Sequence, residues 1–415
     1  MGGRHTPNGD RRLSDDARGR WRTLALLAAA EVLGMSLWFS ASAVSGQYRV
    51  IWGLSAAEAG WLTTVVQLGF VAGTAGAAVL NLADVLPSRW YFAGSALLGA
   101  AANFGLAGAV TYPDALVFRF LTGLCLAGVY PPAMKMAATW FRTDRGLAIG
   151  TIVAALTVGK ALPYLVRSAD VTSVRTVVLL TSAAALASAV IVAVAYRDGP
   201  YQFPRRPFSW RLVATVARHR ETRLATFGYL GHMWELYAMW TWVPAFLAAS
   251  AAVRATVGHP VPAGRVYLAA FGAIAIGGLG ALWGGWAARR EGYAAVTVKA
   301  MVASGLCCLA AGLFYGTTLL LLTPFVLLWG FFVVADSAQF SAMVAEGAPP
   351  HAVGTALTLQ TSLGFLLTMV TIQLVPVLAE VAGWRLAFVV LALGPAAGIA
   401  AIRRLRRLQL DTAAA

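Results

Sequence analysis

Apolar runs about as long as a bilayer is thick recur along this chain, and few folds admit them. A helix needs about 20 apolar residues to cross the hydrocarbon core. Runs of that length lie at roughly 22–46, 60–82, 90–110, 114–136, 145–166, 175–196, 223–249, 265–288, 294–315, 318–344, 352–378 and 385–402. Where no water is present, each segment must satisfy its own backbone amides, so such runs form helices. Of 415 residues, 59% are hydrophobic and 12% charged. That is half the charge of a soluble domain, about 25%, and no soluble core hides so much apolar surface. The sequence predicts an all-α integral membrane protein with twelve transmembrane helices, spans one to twelve in chain order.

The net charge of +15 would suit nucleic acid if the basic residues were clustered on a soluble face. They sit between the apolar runs instead, which excludes that partner and makes the lipid bilayer the first one. If the N-terminus is inside, 22 of the 32 lysines and arginines fall in inner segments and six in outer ones. The excess of basic residues on one side sets orientation, so both termini are expected in the cytoplasm and the protein in the cytoplasmic (inner) membrane. The first run is too long for a cleaved signal peptide. The expected organisation is a disordered tail at 1–21, a helical half at 22–196, a basic linker at 197–222, a second half at 223–403 and a short tail at 404–415. Cys125, Cys307 and Cys308 all lie within apolar runs and have no metal-ligand spacing.

The stretch from Asp114 to Gly150 carries the most specific pattern. Its apolar run holds one arginine, Arg119, then Gly123 and Gly128, then Pro131-Pro132, and a short basic connection with Lys135, Arg142 and Arg145. A lone charge in hydrocarbon costs about 2.5–3.5 kcal/mol on insertion scales, so Arg119 must face protein or water. Small residues let a neighbouring helix approach, and prolines interrupt the helical ladder. Arg119-Phe120-Leu121-Thr122-Gly123 resembles the R-x-x-(polar)-G pattern in the fourth helix of major facilitator superfamily transporters. Between spans two and three, Leu82-Ala83-Asp84 and Arg89 resemble part of that family's loop motif, without its leading glycine. The later copy has Gly285, Arg289, Arg290 and Gly292, with Arg289 in the acid's place. The resemblance implies two six-helix bundles around a central cavity, lined by spans one, four, seven and ten and joined by two, five, eight and eleven. It also implies that Asp84, Arg89, Arg142 and Arg145 latch the cytoplasmic helix ends. A solvated turn that only sets topology is the plain alternative.

Polar residues at membrane depth are the candidates for chemistry. Glu235 beside His232 is the first candidate for proton coupling, Glu31 its rival and Asp336 the third, with Arg119 also a candidate. Trp38, Gln67, Arg119, Tyr130, Lys160, Tyr164, Trp242, Gln339 and Gln360 are candidates for the substrate cavity. His232 and Glu235 are three residues apart and share a helix face, so each should influence the other's protonation. The alternatives are structural: a static ion pair from Glu31 to Lys160 or Arg119, a satisfied His232–Glu235 contact, and tryptophans at Trp234, Trp240 and Trp242 anchoring the interface. The glycine-rich stretch from Gly277 to Gly285 reads as a packing face. No nucleotide-binding loop, nucleophile motif or metal set occurs, so an enzyme is not expected, nor a cofactor or metal. Energy would come from a gradient. The expected function is alternating-access transport of a small solute, an anion if Lys160 and Arg119 face the cavity, coupled to protons and carried out by a monomer. An uncoupled facilitator and a non-transporting receptor or scaffold are the alternatives.

Overall fold

The computed structural model describes residues 7–141, 144–169, 173–201, 209–349 and 352–414, and among these there is no β-strand. Nine helical rods among the described residues are long and apolar enough to cross a membrane by length and composition. They correspond to span two and spans four to eleven. The helices of spans one, three and twelve are Pro7–Met35, Ser88–Leu106 and Leu393–Ala414. Span one loses apolar helical length to a turn at 36–41, and the helix of span twelve runs on past the span through four arginines, Arg403, Arg404, Arg406 and Arg407. Span three is 19 residues long and rich in the weakly apolar residues alanine and glycine. The first helix begins at Pro7, within the stretch expected to be a disordered tail. The linker contains a helix, Trp210–Arg218, and span seven begins at Arg220.

Four rods are broken in mid-span. Span one stops at Met35 and resumes through a 3-10 turn, Ser42–Val44, into a short helix, Ser45–Trp52. Span four consists of Tyr112–Leu126 and Tyr130–Ala138. Its second helix opens with Pro131 and Pro132, at positions whose N–H groups would have no intrahelical partner. Span eight divides at Ile276 and span ten at Asp336. Starts are conventional by comparison. Ser55 with Glu58 and Thr111 with Asp114 each form a complete capping box, at spans two and four.

Within the first half, span two packs on four, span three on four and six, and span one on five and six. Within the second, span seven packs on eleven and twelve, span eight on ten, and span nine on ten and twelve. Glycine makes the tightest of these contacts possible. A β-carbon on Gly123 would come within 1.9 Å of the Val66 carbonyl oxygen, so spans two and four touch backbone to backbone. The same relation recurs between spans eight and ten, where a β-carbon on Gly284 would come within 1.9 Å of the Ala335 carbonyl. The glycine stretch at 277–285 is therefore a packing face, as its spacing predicts.

The two halves meet along two main seams, span two against eleven and span five against eight. Gln373 donates to Thr64 Oγ1 at 2.9 Å, and Thr368 donates to Gln67 Oε1. On the other seam Arg167 donates to the Tyr267 hydroxyl at 3.1 Å. Thr64–Gln373 and Arg167–Tyr267 lie toward the ends of the spans opposite the chain termini, whereas Gln67–Thr368 lies at mid-span.

Candidate functional site

Lys160, sixteen residues into the helix Arg145–Ser168, is fully buried between the halves. Its ammonium donates to the Tyr237 hydroxyl. It also faces rings from three other elements. The centroids of Trp38, Tyr237, Trp240 and Phe365 lie 3.9, 4.5, 5.4 and 6.0 Å from Nζ. Trp38 comes from the unwound stretch of span one, Tyr237 and Trp240 from one face of span seven, and Phe365 from span eleven. A desolvated ammonium over an aromatic face gains roughly 2 kcal/mol or more, which offsets part of the cost of burying it. The rings also support each other: Trp38–Phe365 and Tyr237–Phe365 centroids are 5.6 and 5.1 Å apart.

Glu31 is also fully buried, and neither carboxyl oxygen has a hydrogen-bond partner among the described residues. It lies within electrostatic reach of Lys160 and of the Tyr130 hydroxyl. The centre of the protein therefore holds a caged cation, a carboxyl group and flat apolar walls contributed by both halves. Such a constellation can receive an anion with an apolar body.

Arg119 is placed elsewhere and does something else. Its Nη1 donates to the Leu37 carbonyl at 2.9 Å and to Ser40 Oγ at 2.9 Å, Nη2 donates to the Trp38 carbonyl, and Nε donates to the Leu62 carbonyl at 3.1 Å. These acceptors include the Trp38 carbonyl, which the break in span one leaves without a backbone partner among the described residues. Asn103 of span three extends the network: its Oδ1 accepts from Ser40 at 2.6 Å, and its amide donates to Thr181 at 3.1 Å and Ser182 at 2.9 Å. Arg119 thus clamps spans one, two and four, with span three joined through Asn103.

The sequence matches the profile of the Major Facilitator Superfamily over residues 24–372. The chain belongs to that superfamily. Among solved structures, it is similar to an inward-facing, unoccupied bacterial homolog of the human lysosomal transporter Spinster, with a TM-score of 0.73, 16% identity and coverage of 94% of this chain and 98% of the other. It is likewise similar to the nucleoside transporter NupG, with a TM-score of 0.70, 15% identity and coverage of 92% and 98%. No curated protein matches the sequence. Membership makes this chain a multi-pass membrane transport protein, and the likeness to solved structures shows the two-bundle fold.

In this superfamily member the C-terminal half holds a second buried polar group. His232 Nδ1 lies 2.8 Å from Asp336 Oδ1, and Nε2 lies 3.0 Å from Ser337 Oγ. Span seven thereby grips the break in span ten through both nitrogens of one ring. Glu235 turns away from His232. It accepts hydrogen bonds from Trp329 Nε1 at 2.6 Å, Ser304 Oγ at 2.9 Å and Cys308 Sγ at 3.2 Å. Residues three apart differ by about 60° around a helix, enough to point one side chain at the break in span ten and the other between spans nine and ten. The predicted His232–Glu235 partnership is replaced by His232–Asp336.

The remaining predicted residues are dispersed. Gln67 and Trp242 sit on the seam between the halves, with Trp242 Nε1 donating to the Ile372 carbonyl at 2.8 Å. Gln339 donates to the Ala335 carbonyl at 2.9 Å beside the break in span ten. Tyr164 packs 6.2 Å from the Phe39 ring, and Gln360 is buried with no partner for its amide among the described residues. Arg89 donates to the Ala193 carbonyl at the end of span six, and Arg145 donates to the Phe141 carbonyl at 3.1 Å. The side chain of Asp84, and Arg142 altogether, lie outside the described residues. Sequence reasoning overlooked Phe365, Asn103 and Trp329. The first and last look like ordinary apolar helix residues, and only Asn103, a polar amide in span three, carried a usable signal.

Proposed function

We propose that this protein moves a small organic anion across the cytoplasmic membrane by alternating access, with protons taken up alongside it, and that it works as a monomer. The observation that carries this reading is the environment of Lys160. Its hydrogen-bond partner is a neutral hydroxyl, so its charge calls for an anion, and the rings around it favour a flat or apolar body.

Coupling follows from Glu31. An ionised Glu31 and a bound anion compete for the same ammonium. Protonation of Glu31 leaves Lys160 unmatched, so proton binding and anion binding favour one another, and by linkage the effect is reciprocal. That relation describes symport. With the termini in the cytoplasm, the side that the basic bias favours, the bridges Thr64–Gln373 and Arg167–Tyr267 would form the outer closure. The transport cycle would break them and make a matching inner closure.

The test is uptake by proteoliposomes of a panel of aromatic carboxylates, short carboxylates and organic phosphates, with and without an imposed pH gradient. An acidic exterior should drive accumulation, and a protonophore should collapse it. Lys160→Gln should lose binding of the accumulated anion. Glu31→Gln should lose accumulation but keep exchange. Normal accumulation by Lys160→Gln would remove the anion reading, and uptake indifferent to the gradient would leave an uncoupled facilitator.

A further inference from the structure

A second site lies on the membrane-facing flank, outside the cavity. Spans seven and twelve cross closely at Gly231 and Gly394, where a β-carbon on either would come within 2.4 Å of the other's carbonyl oxygen. Beside this crossing runs a groove of about 1040 Å³, lined by one face of each helix and by Leu367 of span eleven. Its two ends differ in chemistry. Toward mid-membrane the walls are Phe227, Trp234, Leu393 and Ala397, and Phe227 and Leu393 are 54% and 62% exposed. The Trp234 indole is held by a hydrogen bond to the Val390 carbonyl at 3.1 Å. At the end nearest the termini stand Arg220, Arg223, Arg404 and Arg407, with Asp411 the one acidic residue of the lining. All four arginines are exposed, and none pairs with a carboxylate among the described residues.

We infer that this groove binds an anionic glycerophospholipid from the leaflet at the chain termini, its phosphate among the four arginines and an acyl chain against Phe227, Trp234 and Leu393. Charge complementarity selects this occupant. Guanidinium forks match phosphate oxygens, and basic pockets between transmembrane helices at the inner leaflet suit anionic headgroups. A zwitterionic lipid would place its own cation beside four others. A soluble anion would leave the apolar end of the groove empty. The site joins spans seven and twelve at their ends, so its occupant would steady span seven, which carries Tyr237, Trp240 and His232.

Native mass spectrometry of the full chain in detergent tests this, using dioleoyl phosphatidylglycerol against dioleoyl phosphatidylcholine, which have the same acyl chains. Phosphatidylglycerol should be retained and phosphatidylcholine lost. The variant R220Q/R223Q/R404Q/R407Q should bind phosphatidylglycerol at least about tenfold more weakly. R403Q/R406Q changes two exposed arginines of the same helix that do not line the groove, and it should bind as the parent does. Ala397→Trp should fill the groove and block binding with the arginines intact, which keeps the test decisive if the fourfold variant does not fold. Equal binding of the two lipids, equal loss in both arginine variants, or displacement by millimolar inorganic phosphate would each overturn the inference.

Discussion

The Lys160 ammonium donates to the Tyr237 hydroxyl across the boundary between the two halves of the chain. One bond thus joins span five of the N-terminal half to span seven of the C-terminal half at the centre of the protein. Tyr237→Phe keeps the ring and removes the acceptor. A buried donor left without a partner costs roughly 1–3 kcal/mol, so the thermal midpoint in detergent should fall. An anion that occupies the site would supply the missing acceptor. The transported anion should therefore raise the midpoint more in Tyr237→Phe than in the parent, and an equal rise would place the anion elsewhere.

Arg119 should behave as a structural clamp. Its guanidinium reaches the carbonyls of Leu37, Trp38 and Leu62 together, a span that a single ammonium cannot cover. Arg119→Leu should destabilise by about 1–3 kcal/mol for each buried acceptor it leaves without a donor. Arg119→Lys should recover only part of that. Unfolding midpoints in detergent check the order. A variant with normal stability but no transport would instead make Arg119 part of the transport chemistry.

The repeated glycine contacts give a third expectation. Gly123→Ala drives a β-carbon into the Val66 carbonyl of span two, and Gly284→Ala drives one into the Ala335 carbonyl of span ten. Neither backbone can yield without moving a whole span. Each should cost more than the roughly 1–3 kcal/mol typical of overpacking, seen as poor yield of folded protein by size-exclusion chromatography. Gly285→Ala, one residue on with open space at its β position, should be harmless.

The membrane class and the helical spans were legible because apolar length is a strong signal, and a charge within such a run is conspicuous. Glu31 and Lys160 were found that way. Their surroundings were not, because Trp38, Tyr237 and Phe365 come from three separate spans and each also fits an ordinary apolar helix. The unwinding at 36–41 has no proline to announce it, and only the structure shows Arg119 meeting the freed Trp38 carbonyl. Spacing put His232 and Glu235 on neighbouring positions of one helix, but the breaks and packing of spans nine and ten decided where each points.

That divergence separates two roles in the C-terminal half. Glu235 receives three donors, and an amide can keep most of them: its oxygen accepts from Trp329 while its nitrogen donates to Ser304, whose hydroxyl can turn. Glu235→Gln should therefore fold normally, whereas Glu235→Leu leaves the Trp329 indole N–H unpaired and should lose about 1–3 kcal/mol. Because Glu235 is enclosed between spans seven, nine and ten, Glu235→Gln should retain gradient-driven accumulation. Asp336→Asn acts differently, since it neutralises the partner of His232 at the break in span ten. It should fold but slow transport, with an altered dependence on pH. Proteoliposome uptake across a pH series, run on Glu31→Gln, Glu235→Gln and Asp336→Asn together, checks the ordering. Loss of accumulation in Glu235→Gln with Glu31→Gln unaffected would move the coupling proton from the central cage to the C-terminal half.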